Sequence, residues 1–331
     1  MRLNSKFVLM LLVGIAHGQA HAITLGTVRA AAAYSTQQGG KSFLALQHGQ
    51  ILLEQNAREP HKVYSGTKAF WNLAALAAAE DGLLNLDERV AETIPAWRND
   101  ARKSQVTIRQ LLDFSAGLDP LFFLHNDDPG DRDRLAIDAP SVANPGASFI
   151  YGPSALQVFH QVLKEKLHRE SPTHYLERRV LRPLGLGAQR YLKDRADNPL
   201  LAAGWELSAR QWSKLGELVL TGGAPVISSA SLTQCWRGSS ANRAYSLGWW
   251  NNRAAPGGRE FDFEDMLTLK WPRQNWRGAC LCREAPSDLV ACIGSGYQRL
   301  YVIPSLDLIV VRQSESGKFS DAHFLRLLLG R

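Results

Sequence analysis

"VYSGTKAFWNLAALAAAEDG", residues 63–82, places Ser65 and Lys68 three positions apart at the head of an apolar, alanine-rich run. Residues three apart on a helix are surface neighbours, so this hydroxyl and this amine can touch. The run stops at Asp81-Gly82, where glycine can take the left-handed conformation that closes a helix. Phe70, Leu73, Ala74 and Ala77 share one face, but the other faces are apolar as well. That pattern predicts a helix at the centre of a domain. Ser65 then has two readings: a helix cap with Lys68 at the surface, or a nucleophile with Lys68 as its base. In the first turn, free backbone amides and the positive dipole end stabilise negative charge. Burial and that same field disfavour a charged lysine, leaving an amine able to take the proton a serine nucleophile must lose.

The flanking sequence predicts how this helix is housed. "SFLALQHGQILLEQNA" (42–57) reads as two strands joined by His48-Gly49-Gln50. Residues 86–200 read as mainly helical. Thr107 and Gln110 form a capping box, and Ser154 and Gln157 a second possible one. Between them, "HNDDPGDRDR" (125–134) reads as a charged, solvated loop containing His125, and "NPGASFIY" leads to Tyr151. Leu156, Phe159, Leu163 and Leu167 give the following helix an apolar face. Beyond residue 200 come a helix, "SARQWSKLGELVLTGG", then strand candidates "YSLGWW", "LVACIGSG", "RLYVIP" and "LDLIVVRQ", and a closing helix, "AHFLRLLLG". Strands at both ends predict one sheet completed by the two termini, with a helical insertion over one edge. A single domain over 23–331 is expected, its α/β part made from 23–85 and 201–331 and its helical part from 86–200.

Residues 1–22 have the form of a secretory signal: Arg2 and Lys6, the apolar run "FVLMLLVGIA", and Ala20-His21-Ala22 before the expected cleavage. A short N-terminal anchor is the alternative. A periplasmic or secreted protein with no membrane span after signal removal is therefore expected. Without Arg2 and Lys6, the 38 basic residues become 36 against 31 acidic ones, and the net charge falls from +7 to about +5. The basic residues are scattered, which argues against a nucleic-acid groove. Cys235, Cys280, Cys282 and Cys292 all lie in the C-terminal third. Export makes pairing plausible, with Cys280 or Cys282 joined to Cys292 or Cys235. Their spacing is not that of a zinc ribbon, so no metal is expected.

"YSGTKAFWNLAALAAAEDGLLNLDERVAETIP", "TIRQLLDFSAGL", "PGASFIYGPSALQVF", "YLERRVLRPLGLG", "AAGWELSARQWSKLGELVLTGG", "YSLGWW" and "GSGYQRLYVIPSLDLIVV" follow in order through most of the chain. Together they resemble the serine β-lactamase/penicillin-binding protein superfamily. The likeness is to the branch holding class C β-lactamases, D-alanyl-D-alanine carboxypeptidases, related esterases and aminohexanoate-oligomer hydrolases. It implies an α/β fold with an antiparallel sheet built from both termini, flanked by helices. It also implies acyl-enzyme chemistry without a cofactor on a small-molecule or peptide ester or amide. Ser65 would be acylated, Lys68 would be its base and Tyr151 would shuttle a proton. The third motif would be Gly294-Ser295-Gly296, touching substrate, with the backbone amides of Ser65 and Tyr297 as the oxyanion hole.

Two positions depart from the family pattern. Pro153 stands where the second motif has asparagine, leaving Ser154 as the next polar group or merely a cap. Gly294 stands where the third motif has a cation, and Arg299 or Arg253 is a possible substitute. Both changes point away from an efficient β-lactamase and toward an esterase, a narrow amidase or an altered peptidase. A degenerate module that binds a cell-wall peptide or a protein partner is the alternative from another class. Other hydrolase patterns fail: Ser115 and Ser295 lack the full G-x-S-x-G elbow, Ser35 breaks a phosphate loop, and no histidine lies in H-E-x-x-H.

Overall fold

The computed structural model describes residues 23–315 and 317–331, so the leader expected over residues 1–22 lies outside it. Seven antiparallel strands form the main sheet: β1 (Gly40–Gln47), β2 (Gln50–Gln55), β3 (Tyr245–Ser246), β4 (Trp249–Asn251), β5 (Val290–Gly294), β6 (Gln298–Ile303) and β7 (Leu308–Ser314). Their order is β2-β1-β7-β6-β5-β4-β3, so the start and end of the chain meet along β1 and β7. The β1–β2 turn is made by His48 and Gly49 at φ 50° and 70°. Two left-handed residues in succession match the twist of a tight hairpin.

Helices cover both faces of the sheet. The helix Leu25–Gln37 packs beside the last helix, Asp321–Leu329, whose Phe324 meets Phe43 of β1. The helix Ala209–Leu220 lays Gly216 against Ile309 of β7, where a side chain would collide. Phe43 pairs with Arg312 and Leu46 with Ile309, so by strand alternation the two contacts are on opposite faces. The central helix, α1 (Thr67–Glu80), is buried from Thr67 through Ala78. Between residues 86 and 200 run α2 (Ile108–Leu112), opened by the Thr107–Gln110 capping box, then α3 (Arg132–Ile137) and α4 (Pro153–Leu167). The apolar face of α4 is buried.

Three sequence expectations need correction here. The charged loop is not wholly solvated, because Arg132 is fully buried. Its guanidinium donates to the carbonyls of Leu124, Leu192, Asn126 and Asn198, and Asp194 accepts its backbone amide at 2.7 Å. A buried cation with its donors filled is tolerable. Ser154 and Gln157 do not cap α4, since Ser154 Oγ donates to the Asp119 carbonyl and Gln157 turns inward. The four cysteines are all buried and unpaired. Cys292 points at the Gly66 carbonyl and Cys282 at Glu284, each 3.5 Å away, rather than toward another sulfur. Glu260, Cys282 and Glu284 converge, and Arg326 pairs with both carboxylates at 2.5 and 2.8 Å.

Candidate active site

The turn that carries Ser65 is a single 3-10 turn, Tyr64–Gly66, directly ahead of α1. It is fastened by the Val63 amide to the Trp205 carbonyl at 3.0 Å and by the Gly66 amide to the Val63 carbonyl at 2.8 Å. A Cβ on Gly66 would collide with Trp212. Neither the turn nor α1 has a side-chain cap, so the capping reading of Ser65 fails. Instead Lys68 Nζ lies 2.6 Å from Ser65 Oγ and 2.7 Å from the Ala202 carbonyl oxygen. Ser65 and Lys68 are 8% and 2% exposed.

Among the described residues no carboxylate offsets the lysine. Burial pulls its pKa down to about 7, and the neighbouring Cys292 thiol, itself pushed up to about 12 by burial, is neutral near pH 7 and brings no negative charge to the amine. A large share of the amine is therefore neutral near pH 7, with a lone pair free to accept a proton. The Ala202 carbonyl can only accept, so it takes one amine hydrogen and orients the group toward Ser65. Sequence reasoning missed this carbonyl and the residue that places it. Gln157 Nε2 donates to Asp133 at 2.9 Å and to the Pro199 carbonyl at 3.1 Å, while its Oε1 accepts the Leu201 amide at 2.9 Å.

Tyr151 completes the cluster. Lys68 Nζ lies 4.7 Å from its ring centre, and its hydroxyl faces that of Ser65. Burial pushes the phenol pKa well up, so it acts as a protonated hydroxyl. Pro153 takes the first position of α4 and brings no polar group, and Ser154 is already engaged with Asp119.

The third motif closes over the nucleophile turn. Gly294 ends β5 so near the turn that a Cβ would collide with the Val63 carbonyl, which rules out the longer residue seen in the family. Ser295, Gly296 and Tyr297 form the β5–β6 turn, with Gly296 and Tyr297 at φ 71° and 63°. That conformation turns the Tyr297 amide away: it donates to Glu264 Oε1 at 2.8 Å. The expected oxyanion role of Tyr297 is therefore corrected. The backbone amides of Ser65 and Ser295 meet no acceptor among the described residues.

Neither arginine considered as a substitute cation serves the site. Arg299 is fully buried, bound to Asp321 at 2.6 Å and Glu264 at 2.6 Å. Arg253 lines a cavity of about 290 Å³ with Asn251, Asp288, Val290 and Pro304, at the other end of β5 and β6. Arg312, behind the turn, donates to the Tyr297 carbonyl at 2.7 Å and is held by Ser35 and Gln38.

Known proteins share this fold. The Beta-lactamase family model matches residues 26–327. A class C β-lactamase from Rhodobacter sphaeroides is 18% identical with a TM-score of 0.65, covering 91% of this chain and 99% of its own. EstCE1, described as a hydrolase with promiscuous acyltransferase activity, gives 18% and 0.65 over 92% and 98%. The octameric penicillin-binding protein homologue from Pyrococcus abyssi also gives 18% and 0.65, over 92% and 76%. Protein flp of Staphylococcus aureus (strain MRSA252) is 24% identical over 183 residues, 51% of this chain but only 36% of that protein. With its fold and most of its length matched, the chain belongs to the Beta-lactamase family, whose members are serine hydrolases related to esterases, amidases and β-lactamases.

Proposed function

We propose that this hydrolase cleaves an uncharged ester through an acyl-enzyme and is exported by the segment 1–22. The observation that carries the reading is the buried Lys68 amine 2.6 Å from Ser65 Oγ with no carboxylate against it. Neutral Lys68 takes the serine proton as Oγ attacks the carbonyl. Tyr151, held protonated, relays a proton to the departing alkoxide, and water then releases the acid. The amides of Ser65 and Ser295 receive the charge on the carbonyl oxygen.

An ester is preferred over a lactam or peptide for two reasons. Pro153 offers no amide to hold a substrate amide, and Gly294, Arg299 and Arg253 leave the third motif without a cation for a substrate carboxylate. Intact mass after a fluorophosphonate, and separately after a penicillin, tests the reading beside Ser65→Ala. One fluorophosphonate adduct, lost in the variant, is expected, with little penicillin adduct. Folded protein that labels with neither reagent would instead favour a binding module. On cell fractionation the protein should appear in the periplasm with Ile23 as its first residue, and recovery in the cytoplasm alone with Met1 retained would remove the export reading.

A further inference from the structure

Asp133, Gln157 and His160 meet where α3 packs on α4, and none of them is more than 3% exposed. His160 Nδ1 lies 2.6 Å from Asp133 Oδ2, and Gln157 Nε2 donates to Asp133 Oδ1 at 2.9 Å. A carboxylate oxygen only accepts, so the histidine hydrogen sits on Nδ1. His160 Nε2 has no partner among the described residues, and its ring stands edge-on to Trp71 with 6.3 Å between centres. Burying a carboxylate, an imidazole and an amide costs free energy that apolar side chains at the same helix contact would not. Leu156, Phe159 and Leu163 of α4 are fully buried beside them. Holding the two helices together does not require the polar group.

The group is joined to Ser65 by hydrogen bonds and one peptide link. The two ends of the Gln157 amide differ in what they can do, one donating and one accepting, and every partner demands the same orientation. Asp133 and the Pro199 carbonyl accept from Nε2, while the Leu201 amide donates to Oε1 at 2.9 Å. The next residue, Ala202, turns its carbonyl to Lys68 Nζ at 2.7 Å, and that amine lies 2.6 Å from Ser65 Oγ. The rest of this segment hangs from the start of α3. Asp131 accepts from Asn198 Nδ2 at 3.0 Å, Arg132 donates to the Asn198 carbonyl at 3.4 Å, and the Leu200 amide closes on the Leu192 carbonyl at 2.8 Å. Trp71, against His160, follows Lys68 by three residues on α1, so the circuit returns to the helix it left.

We propose that the buried Asp133–His160 pair positions the base: by fixing which way Gln157 points, it sets the Ala202 carbonyl and so aims the Lys68 amine at Ser65. This rests on the hydrolase reading above and deepens it, giving a role to residues that touch no reacting atom. The titratable groups that face Lys68 are Ser65, Tyr151, Cys292 and His125, and none of them is a carboxylate. The Ala202 carbonyl, as an acceptor, therefore favours the protonated amine, and losing it moves the Lys68 midpoint down.

Two readouts test this. Lys68 is followed without turnover by isotope-edited NMR titration of the lysine Cε signals, its own assigned by loss in Lys68→Met. Asp133→Leu leaves Gln157 free to turn, so the Lys68 midpoint should fall from about 7 to about 6 or lower, the scale of a lost hydrogen bond to a charged group. The second readout is the p-nitrophenyl acetate burst, whose rate at its alkaline plateau should fall roughly tenfold as the amine is misaimed. Asp133→Asn keeps an oxygen for Gln157 and should restore both. A pair that serves the fold alone would lower Tm and leave the midpoint in place. In folded Asp133→Leu, a midpoint that stays or rises overturns the proposal, as does an Asp133→Asn variant equally impaired. If Asp133→Leu does not fold, Asp133→Ser, too short to reach Gln157 and His160 together, is read against the same outcomes. If no ester acylates the wild type but the midpoint moves as expected, the hydrolase reading falls and the positioning of Lys68 stands.

Discussion

In the proposed mechanism Lys68 sets the pH at which Ser65 can be activated. Below about pH 7 the buried amine carries a proton and cannot accept another, and above it the lone pair is available. Acylation by p-nitrophenyl acetate, followed as a burst, should therefore rise with pH to a plateau with an apparent pKa of about 7. Tyr151 stays protonated through this range, so no alkaline fall is expected below pH 9. A flat profile from pH 5 to 9 would remove Lys68 from the role of base. Gly294 poses a different single-residue question, because a methyl group there must displace the Val63 carbonyl and the nucleophile turn with it. Gly294→Ala should lower kcat about 100-fold, the cost of a misplacement near 1 Å. Full activity in that variant would show that the turn gives way easily. That Ser65, Lys68 and Tyr151 would meet was legible, because spacing and motif order constrain them directly. Tyr297 was not, since its amide is turned toward Glu264 by two left-handed residues, and nothing local in "GSGYQ" signals an acceptor 33 residues earlier.

The β5–β6 hairpin is the element on which the third motif depends. Its turn is gripped from behind: Glu264 takes the Tyr297 amide, Arg312 donates to the Tyr297 carbonyl, and Arg299 ties Glu264 to the Gly294 carbonyl. In the proposed mechanism Glu264, through its hold on the Tyr297 amide, is a positioning residue for the neighbouring Ser295 amide. Glu264→Ala should lower kcat by roughly 10- to 100-fold with KM little changed, less than the full loss of an oxyanion donor. Glu264→Gln keeps an acceptor for Tyr297 and should recover part of that loss. Equal losses in both variants, accompanied by a lowered Tm, would indicate a purely structural role. Helix α4 illustrates how local rules mislead. Ser154 and Gln157 have capping-box spacing, yet Pro153 already starts the helix and both side chains bind distant carbonyls. Long-range hydrogen bonds outcompeted the local pattern.

Across the whole molecule, the terminal helix is tied to the sheet by a buried charge cluster. Asp321 receives Arg299 Nε at 2.6 Å and Nη2 at 2.9 Å as well as the Tyr301 hydroxyl, all three residues being almost fully buried. Removing Asp321 leaves Arg299 paired with Glu264 alone and takes the acceptor from Arg299 Nε and the Tyr301 hydroxyl, so Asp321→Ala should destabilise the fold by about 1–3 kcal/mol in urea titration. A loss below 1 kcal/mol would show that the cluster relaxes or takes in water. The sheet built from both ends could be read from the strand pattern, because alternation and apolar runs are local signals. The buried Arg132 could not, since a charged run gives no hint of four carbonyls gathered around one residue.

The abutment of Gly294 against Val63 also governs when the enzyme comes into being. Ser65 enters the polypeptide long before β5, yet its turn is bounded by that strand, and β1 is flanked by β7. Contacts so remote in sequence make for slow folding with late consolidation of the sheet. During synthesis the ribosome would carry a chain already holding its serine and lysine but lacking the surface that fixes them. Such a nascent chain has no assembled cleft, so the chemistry proposed for Ser65 becomes available only as the last strands dock.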